Sequence, residues 1–205
     1  MITRLTKLLV GLILFAFGIY LSLQANVGAA PWDAFHQGLS YKLGITFGQA
    51  SMIVGFIIVI LNMFFKENIG IGTIANTFII GLFIDLFYAI DLVPKMNSLG
   101  SGLFMLTISM VIMAFSTYLY VDAGYGAGPR DGLMIIMVKL TKRPVGLVRL
   151  TIESSVCMIG YLLGGQIGIG TVILALSIGP IVQVVFKLLN FKIETVKHQY
   201  LFAKS

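Results

Sequence analysis

Residues 5–23, 47–65, 71–93, 102–121, 144–163 and 167–189 form six stretches of about 19 to 23 mostly apolar residues. An α-helix rises 1.5 Å per residue, so about 20 residues cover a hydrocarbon core roughly 30 Å thick. A backbone in lipid must satisfy its own hydrogen bonds, which leaves helices or a closed barrel. Barrel strands alternate polar and apolar residues, and these stretches do not. The expected fold is therefore all-α, a polytopic membrane protein with six long transmembrane helices. Composition agrees: 11% of residues are charged, against roughly 25% in ordinary soluble chains.

The chain also repeats itself. Displaced by 98 residues without a gap, Gly28, Ala29, Pro31 and Asp33 of "GAAPWDA" meet Gly126, Ala127, Pro129 and Asp131 of "GAGPRDG". The run Ile69-Gly70-Ile71-Gly72-Thr73 meets Ile167-Gly168-Ile169-Gly170-Thr171, identical over five residues. Apolar coincidences between spans are cheap, but matched Pro-x-Asp and IGIGT at one offset are not. Two tandem repeats follow, 1–98 and 99–190, with a basic tail at 191–205. Each repeat reads as a long helix, the GAxPxD phrase, a short helix (31–43 or 129–141), and two further long helices separated by IGIGT.

The phrase has a local explanation. Proline fits the first helical position, where its missing N–H has no partner to lose, and Gly28 and Gly126 let the chain turn sharply before it. Asp33 and Asp131 then fall in the first turn, where a carboxylate meets free N–H groups and the positive end of the helix dipole. A cation or proton site built from the two aspartates is the functional alternative, and direct solute contact is another. Gly70, Gly72, Thr73, Gly168, Gly170 and Thr171 read as turn and packing residues at a helix start. Trp32 reads as an interface anchor.

A 13-residue helix reaches only about 20 Å. If the short helices do not cross, the halves have three crossings each and are inverted; if they do, the halves have four and are parallel. Basic residues do not arbitrate. With six crossings Arg4, Lys7, Lys66, Arg130, Lys139, Lys142, Arg143, Arg149, Lys187, Lys192, Lys197 and Lys204 share one side, and Lys42 and Lys95 the other. With eight, Lys42 and Lys95 exchange sides with Lys66 and Arg130, and the imbalance is unchanged. Both arrangements place both termini in the cytoplasm by the positive-inside rule. Length favours six crossings.

Charges inside spans cost about 2.5–3.5 kcal/mol each on insertion scales, so each needs a reason. Asp85 and its repeat counterpart Gln183 suggest a shared interior face, for interhelical bonding or as a pathway. Glu153 lies four residues after Arg149, on the same helix face, as an ion pair or a gate. Asn62 reads as helix–helix glue. Cys157 reads as a small buried hydrophobe. No nucleophile–base set, metal-ligand spacing or nucleotide motif is present, so neither catalytic residues, metal nor cofactor are expected. The net charge of +6 sits at helix ends, which is a topology signal and not a nucleic-acid footprint.

The G-x-x-P-x-D phrase, the turn "KLGITFG" (42–48), Asn62 and the Gly72-Thr73 pair together resemble the YczE/YyaS/YitT group of bacterial membrane proteins. The resemblance covers most of the chain, less fully in the second half, where "LTKRPVG" replaces the turn. It implies a multi-pass protein of the bacterial cytoplasmic membrane. The expected function is a small transporter or exporter with its site where the repeats meet, lined by Asp33, Asp131, Asp85, Gln183, Glu153 and Arg149. The acidic excess points to a cationic or proton-coupled solute, and Arg130 and Arg149 leave an anion open. The alternative is a non-transporting accessory or scaffold protein that docks a partner through its basic tail. Expected partners are membrane lipid, a small solute and a second copy of the chain, with no nucleic acid.

Overall fold

The structure is a computed structural model that describes residues 2–126, 128–196 and 198–201. Ala127 of the second phrase, and Lys197 and Lys204 of the tail, lie outside the described residues. Eight helices follow one another: α1 Ile2–Gln24, α2 Pro31–Leu43, α3 Phe47–Phe64, α4 Ile71–Ala89, α5 Leu99–Asp122, α6 Pro129–Thr141, α7 Val145–Leu162 and α8 Ile169–Leu188. A 3₁₀ turn, Ile193–Thr195, closes the described chain. The six long ones are long and apolar enough to cross a membrane. The two short ones coincide with the predicted 31–43 and 129–141.

Local chemistry sets these limits. Pro31 and Pro129 open α2 and α6. Gly44 ends α2 in the left-handed region at φ 65°, and Lys142 does the same for α6 at φ 54°. Thr46 and Gln49 form a reciprocal capping box at the start of α3, which satisfies two amide groups left over at a helix start. At α4 and α8 the threonine of IGIGT takes that part: the Gly70 N–H donates to Thr73 Oγ1 at 3.3 Å and the Gly168 N–H to Thr171 Oγ1 at 3.2 Å.

α1 and α5 lie side by side and antiparallel at the centre. Gly11 faces Tyr120, Gly18 faces Met113, and Gly102 faces the Ala25 carbonyl. Lys7 Nζ reaches Asp122 Oδ2 at 2.6 Å where α1 begins, and the Met96 N–H donates to the Gln24 carbonyl where α1 finishes. These contacts define an amino end and a far end. α4 starts at the amino end against Tyr125 and finishes at the far end, where the Tyr20 hydroxyl donates to the Val93 carbonyl. α3 runs antiparallel to α4, so it starts at the far end. α1 therefore arrives at the end from which α3 departs, and α2, which joins them, does not bridge the molecule. α6 is the same case at the amino end. Six helices traverse the molecule, and α1 and α5 head the two halves in opposite directions.

Residues matched in sequence take matched contacts at opposite ends. The Gly72 N–H donates to the Tyr125 carbonyl at 2.8 Å, and the Gly170 N–H to the Val27 carbonyl at 2.7 Å; both pairs are related by the 98-residue displacement. Gly126 and Gly28, beside them, have φ of 103° and 118°. A Cβ on Gly126 meets Thr73 Oγ1 at 2.8 Å and the Gly70 amide nitrogen at 3.0 Å. Gly126→Ala combines a left-handed penalty with overpacking, so an expected loss of about 2–4 kcal/mol follows. A thermal melt in detergent reads it: an unchanged midpoint would mean that this junction is slack.

The correspondence fails at one place. α3 packs along α4, whereas their counterparts α7 and α8 barely touch. The last described residues are not a free arm. The Gln199 N–H donates to the Gly124 carbonyl and the Leu201 N–H to the Ile69 carbonyl, which pins the tail across the amino end. Burial there holds the His198 imidazole below the usual histidine range.

Candidate solute site

A cavity of about 260 Å³ lies where the first turns of α2 and α6 approach each other. Its wall is built from pairs related by the 98-residue displacement: Trp32 and Arg130, His36 and Met134, Ser51 and Arg149, Val54 and Ile152, Gly55 and Glu153. At these five pairs the halves contribute matched backbone positions and different chemistry, while the rest of the wall is unmatched. α1 adds Phe15 and Ile19, and α4 adds Asn76, Thr77 and Ile80.

The two phrases meet through their unmatched central residues. The Arg130 guanidinium carbon stands 4.8 Å from the centre of the Trp32 ring, within the range where a cation is drawn to the face of an aromatic ring. The sequence reading placed Trp32 at a membrane interface, and the structure corrects that: it forms part of the cavity wall. The missed signal was the repeat itself. Equivalent positions near a two-fold relation lie near each other, so an aromatic in one phrase and a cation in the other were placed to meet. Among the described residues no carboxylate lies within ion-pair distance of Arg130. Beside it, Asp131 opens onto the cavity.

His36 sits one turn into α2 among Trp32, Phe35 and Phe47, at ring distances of 6.3, 6.0 and 5.8 Å. It is buried, and neither ring nitrogen has a partner among the described residues. A buried polar group left unbonded costs about 1–3 kcal/mol, and His36 lines the cavity.

The predicted site residues divide. Asp131, Arg149 and Glu153 line the cavity. Arg149 Nε bonds Glu153 Oε1 at 2.9 Å, the expected pair four residues apart, with the Arg149 side chain 61% exposed at the mouth. Asp33 is buried and is not part of the wall, although its carboxylate acts on Arg130 from beyond ion-pair distance. Its expected bond to the first-turn amides is not formed; among the described residues it accepts no hydrogen bond. Asp85 and Gln183 lie away from the cavity. Asp85 caps α3, where its Oδ1 accepts the Gly48 N–H at 2.8 Å and its Oδ2 accepts from Thr46; Gln183 is exposed on α8. Asn62 is the expected glue: its Nδ2 donates to the Pro129 carbonyl at 2.9 Å and ties α3 to the start of α6.

The chain is similar to three proteins that span most of its length. It is 35% identical over 185 residues to the uncharacterized membrane protein YczE of Bacillus subtilis, covering 89% of this chain and 85% of that protein. It is 34% identical over 176 residues to an uncharacterized protein of Haemophilus influenzae, covering 86% and 80%. With the uncharacterized protein YyaS of Bacillus subtilis it shares 31% identity over 180 residues, covering 86% and 89%. No solved structure gives a significant match. The profile of the family of unknown function DUF6198 matches residues 2–187. A multi-pass helical membrane protein, the chain belongs to the DUF6198 family, with YczE and YyaS among its relatives.

Proposed function

We propose that the chain is a small bacterial transporter or exporter and that the cavity is its solute site. One observation carries this reading: matched residues of two oppositely directed halves, including the starts of two short helices, line one cavity. Transporters built from inverted repeats place their sites at that junction, at the ends of interrupted helices. The wall offers Arg130 to an acidic group and Asp131 to a basic one, beside the aromatic face of Trp32. The solute that fits is a small zwitterion. A bare cation uses the Asp131 side alone and makes no use of Arg130.

In this reading the amino end faces the cytoplasm, and the distribution of basic side chains supports it. Arg4, Lys7, Lys66, Lys139, Lys142, Arg143, Lys187 and Lys192 flank that end, against Lys42 and Lys95 at the far end; positive residues favour the cytoplasmic side. The protein then sits in the cytoplasmic membrane with its mouth facing inward.

Purified protein is to be melted in detergent against free amino acids, monoamines and monocarboxylates. Amino acids are expected to raise the midpoint saturably and the other two sets little. A rise with amines alone turns the solute into a cation. No rise in any set removes the reading. The accessory alternative is separated by Glu153→Gln, which a scaffold tolerates. Tail removal does not separate the two, because the tail braces the amino end in either case.

A further inference from the structure

The two halves hold the same glycine seam in two different states. In the first half Gly48 and Gly81 touch so closely that a Cβ on Gly48 would overlap the Gly81 carbonyl, and one on Gly81 would lie 2.7 Å from the Gly48 carbonyl. Asp85 locks the seam from α4 by accepting from Thr46 and from the Gly48 amide. The counterparts in the second half are Gly146, Gly179 and Gln183. A Cβ on either of these glycines meets nothing within 4 Å, and Gln183 bonds to no described residue. The seam is closed between α3 and α4 and open between α7 and α8.

The cavity follows the same division. Asn76, Thr77 and Ile80 of α4 form part of its wall, while their counterparts on α8, Leu174, Ala175 and Ile178, do not. The open side is where Arg149 is exposed. α8 also carries a device that α4 lacks. Pro180 follows Gly179 inside the helix, where Leu82 follows Gly81 in α4. A proline inside a helix removes one backbone hydrogen bond and allows a bend at that point.

We infer that the α7–α8 seam is a gate at the amino end of the cavity, and that the α3–α4 seam is its counterpart at the far end. The gate closes when α8 bends at Pro180 and brings Gly179 onto Gly146, with the Gln183 side-chain oxygen accepting the Gly146 N–H as Asp85 accepts that of Gly48. The far seam opens when Asp85 releases α3. The structure is the state open at the amino end. Exchange of the two seam geometries gives the opposite state, which is the motion expected of inverted halves around a fixed site. This inference rests on the solute-site reading for its purpose, but the motion is measured without any solute. It also assigns roles to Asp85 and Gln183, the two predicted site residues on long helices that do not line the cavity.

Gly146→Cys and Gly179→Cys, combined in a Cys157→Ser background, test it in the full chain in membranes. Both positions have room for the side chain in the present state. A disulfide needs Cβ atoms about 3.5–4.5 Å apart, so oxidation captures only the closed seam. An intramolecular bond is expected, identified by mass as two joined peptides within one chain. Adding Asp85→Ala removes the far lock and is expected to raise the rate of bond formation about tenfold. Absence of the bond in both backgrounds, or bonds between copies only, overturns the gate. Bond formation without any amino-acid-induced melting shift in the reduced protein leaves the gate standing and removes the solute reading.

Discussion

Arg130→Met weakens amino-acid binding roughly a hundredfold, while the protein still inserts and melts near the parent midpoint. Among the described residues no carboxylate lies within ion-pair distance of the guanidinium, and Asp33 and Asp131 act on it only from farther away. Hydrogen bonds to a charged group contribute about 1.5–3 kcal/mol, and 1.4 kcal/mol is a factor of ten. Methionine keeps the length and the apolar contact with Trp32, so lost packing does not account for the effect. Arg130→Lys separates charge from shape. Lysine keeps the charge and loses the planar fork and the stack on the ring, so partial recovery of binding is expected. Full recovery would mean that only charge is read, and the Trp32 contact would have no part in recognition. Binding unaffected by Arg130→Met would place the solute elsewhere in the cavity.

The outline of this fold was legible because each local signal agreed with the others. Proline at 31 and 129 marked two helix starts, whereas the Thr46–Gln49 capping box was seen only in the structure. The IGIGT runs marked two more, since the threonine hydroxyl there caps the glycine three residues earlier. The site was only half legible. Arg149, Glu153 and Asp131 were reached by asking why a charge would sit in or beside a span. Arg130 was noted only as leaving an anion open and Trp32 only as an interface anchor; their meeting was missed, because what brings them together is the relation between halves and not the spacing along the chain. Asp33 and Asp131 occupy the same sequence position and differ in surroundings: the wall excludes one and includes the other. The glycines alone do not separate α8 from α7, since Gly146 and Gly179 repeat those that hold α3 against α4. Pro180, with Pro144 and Gln183 in place of Thr46 and Asp85, was a visible difference, and its meaning depended on seeing the seam beside it open.

Cysteine labelling of the loops gives an all-or-none result for the direction of the chain. Basic residues balanced identically for six and for eight crossings, because the short helices carry Lys42 and Lys66 to opposite sides in the two cases. The structure breaks the tie, since α1 finishes and α3 begins at the same end. Cys at Lys42 or Asn97, in a Cys157→Ser background, is expected to react with a membrane-impermeant maleimide in intact cells. Cys at Lys66 or Lys142 is expected to react only after permeabilisation. All four residues are exposed. Intact-cell labelling at Lys66 with protection at Lys42 would mean that α2 crosses and that the halves are parallel. Arg130 and Trp32 would then start their helices from the same side, and no exchange of seams could move access from one face of the membrane to the other. Reversal of all four results would keep the inverted halves and turn the mouth beside Arg149 outward, against the weight of basic residues at the amino end. A charge bias of this size makes that reversal hard to reconcile with the insertion energetics of the flanking loops.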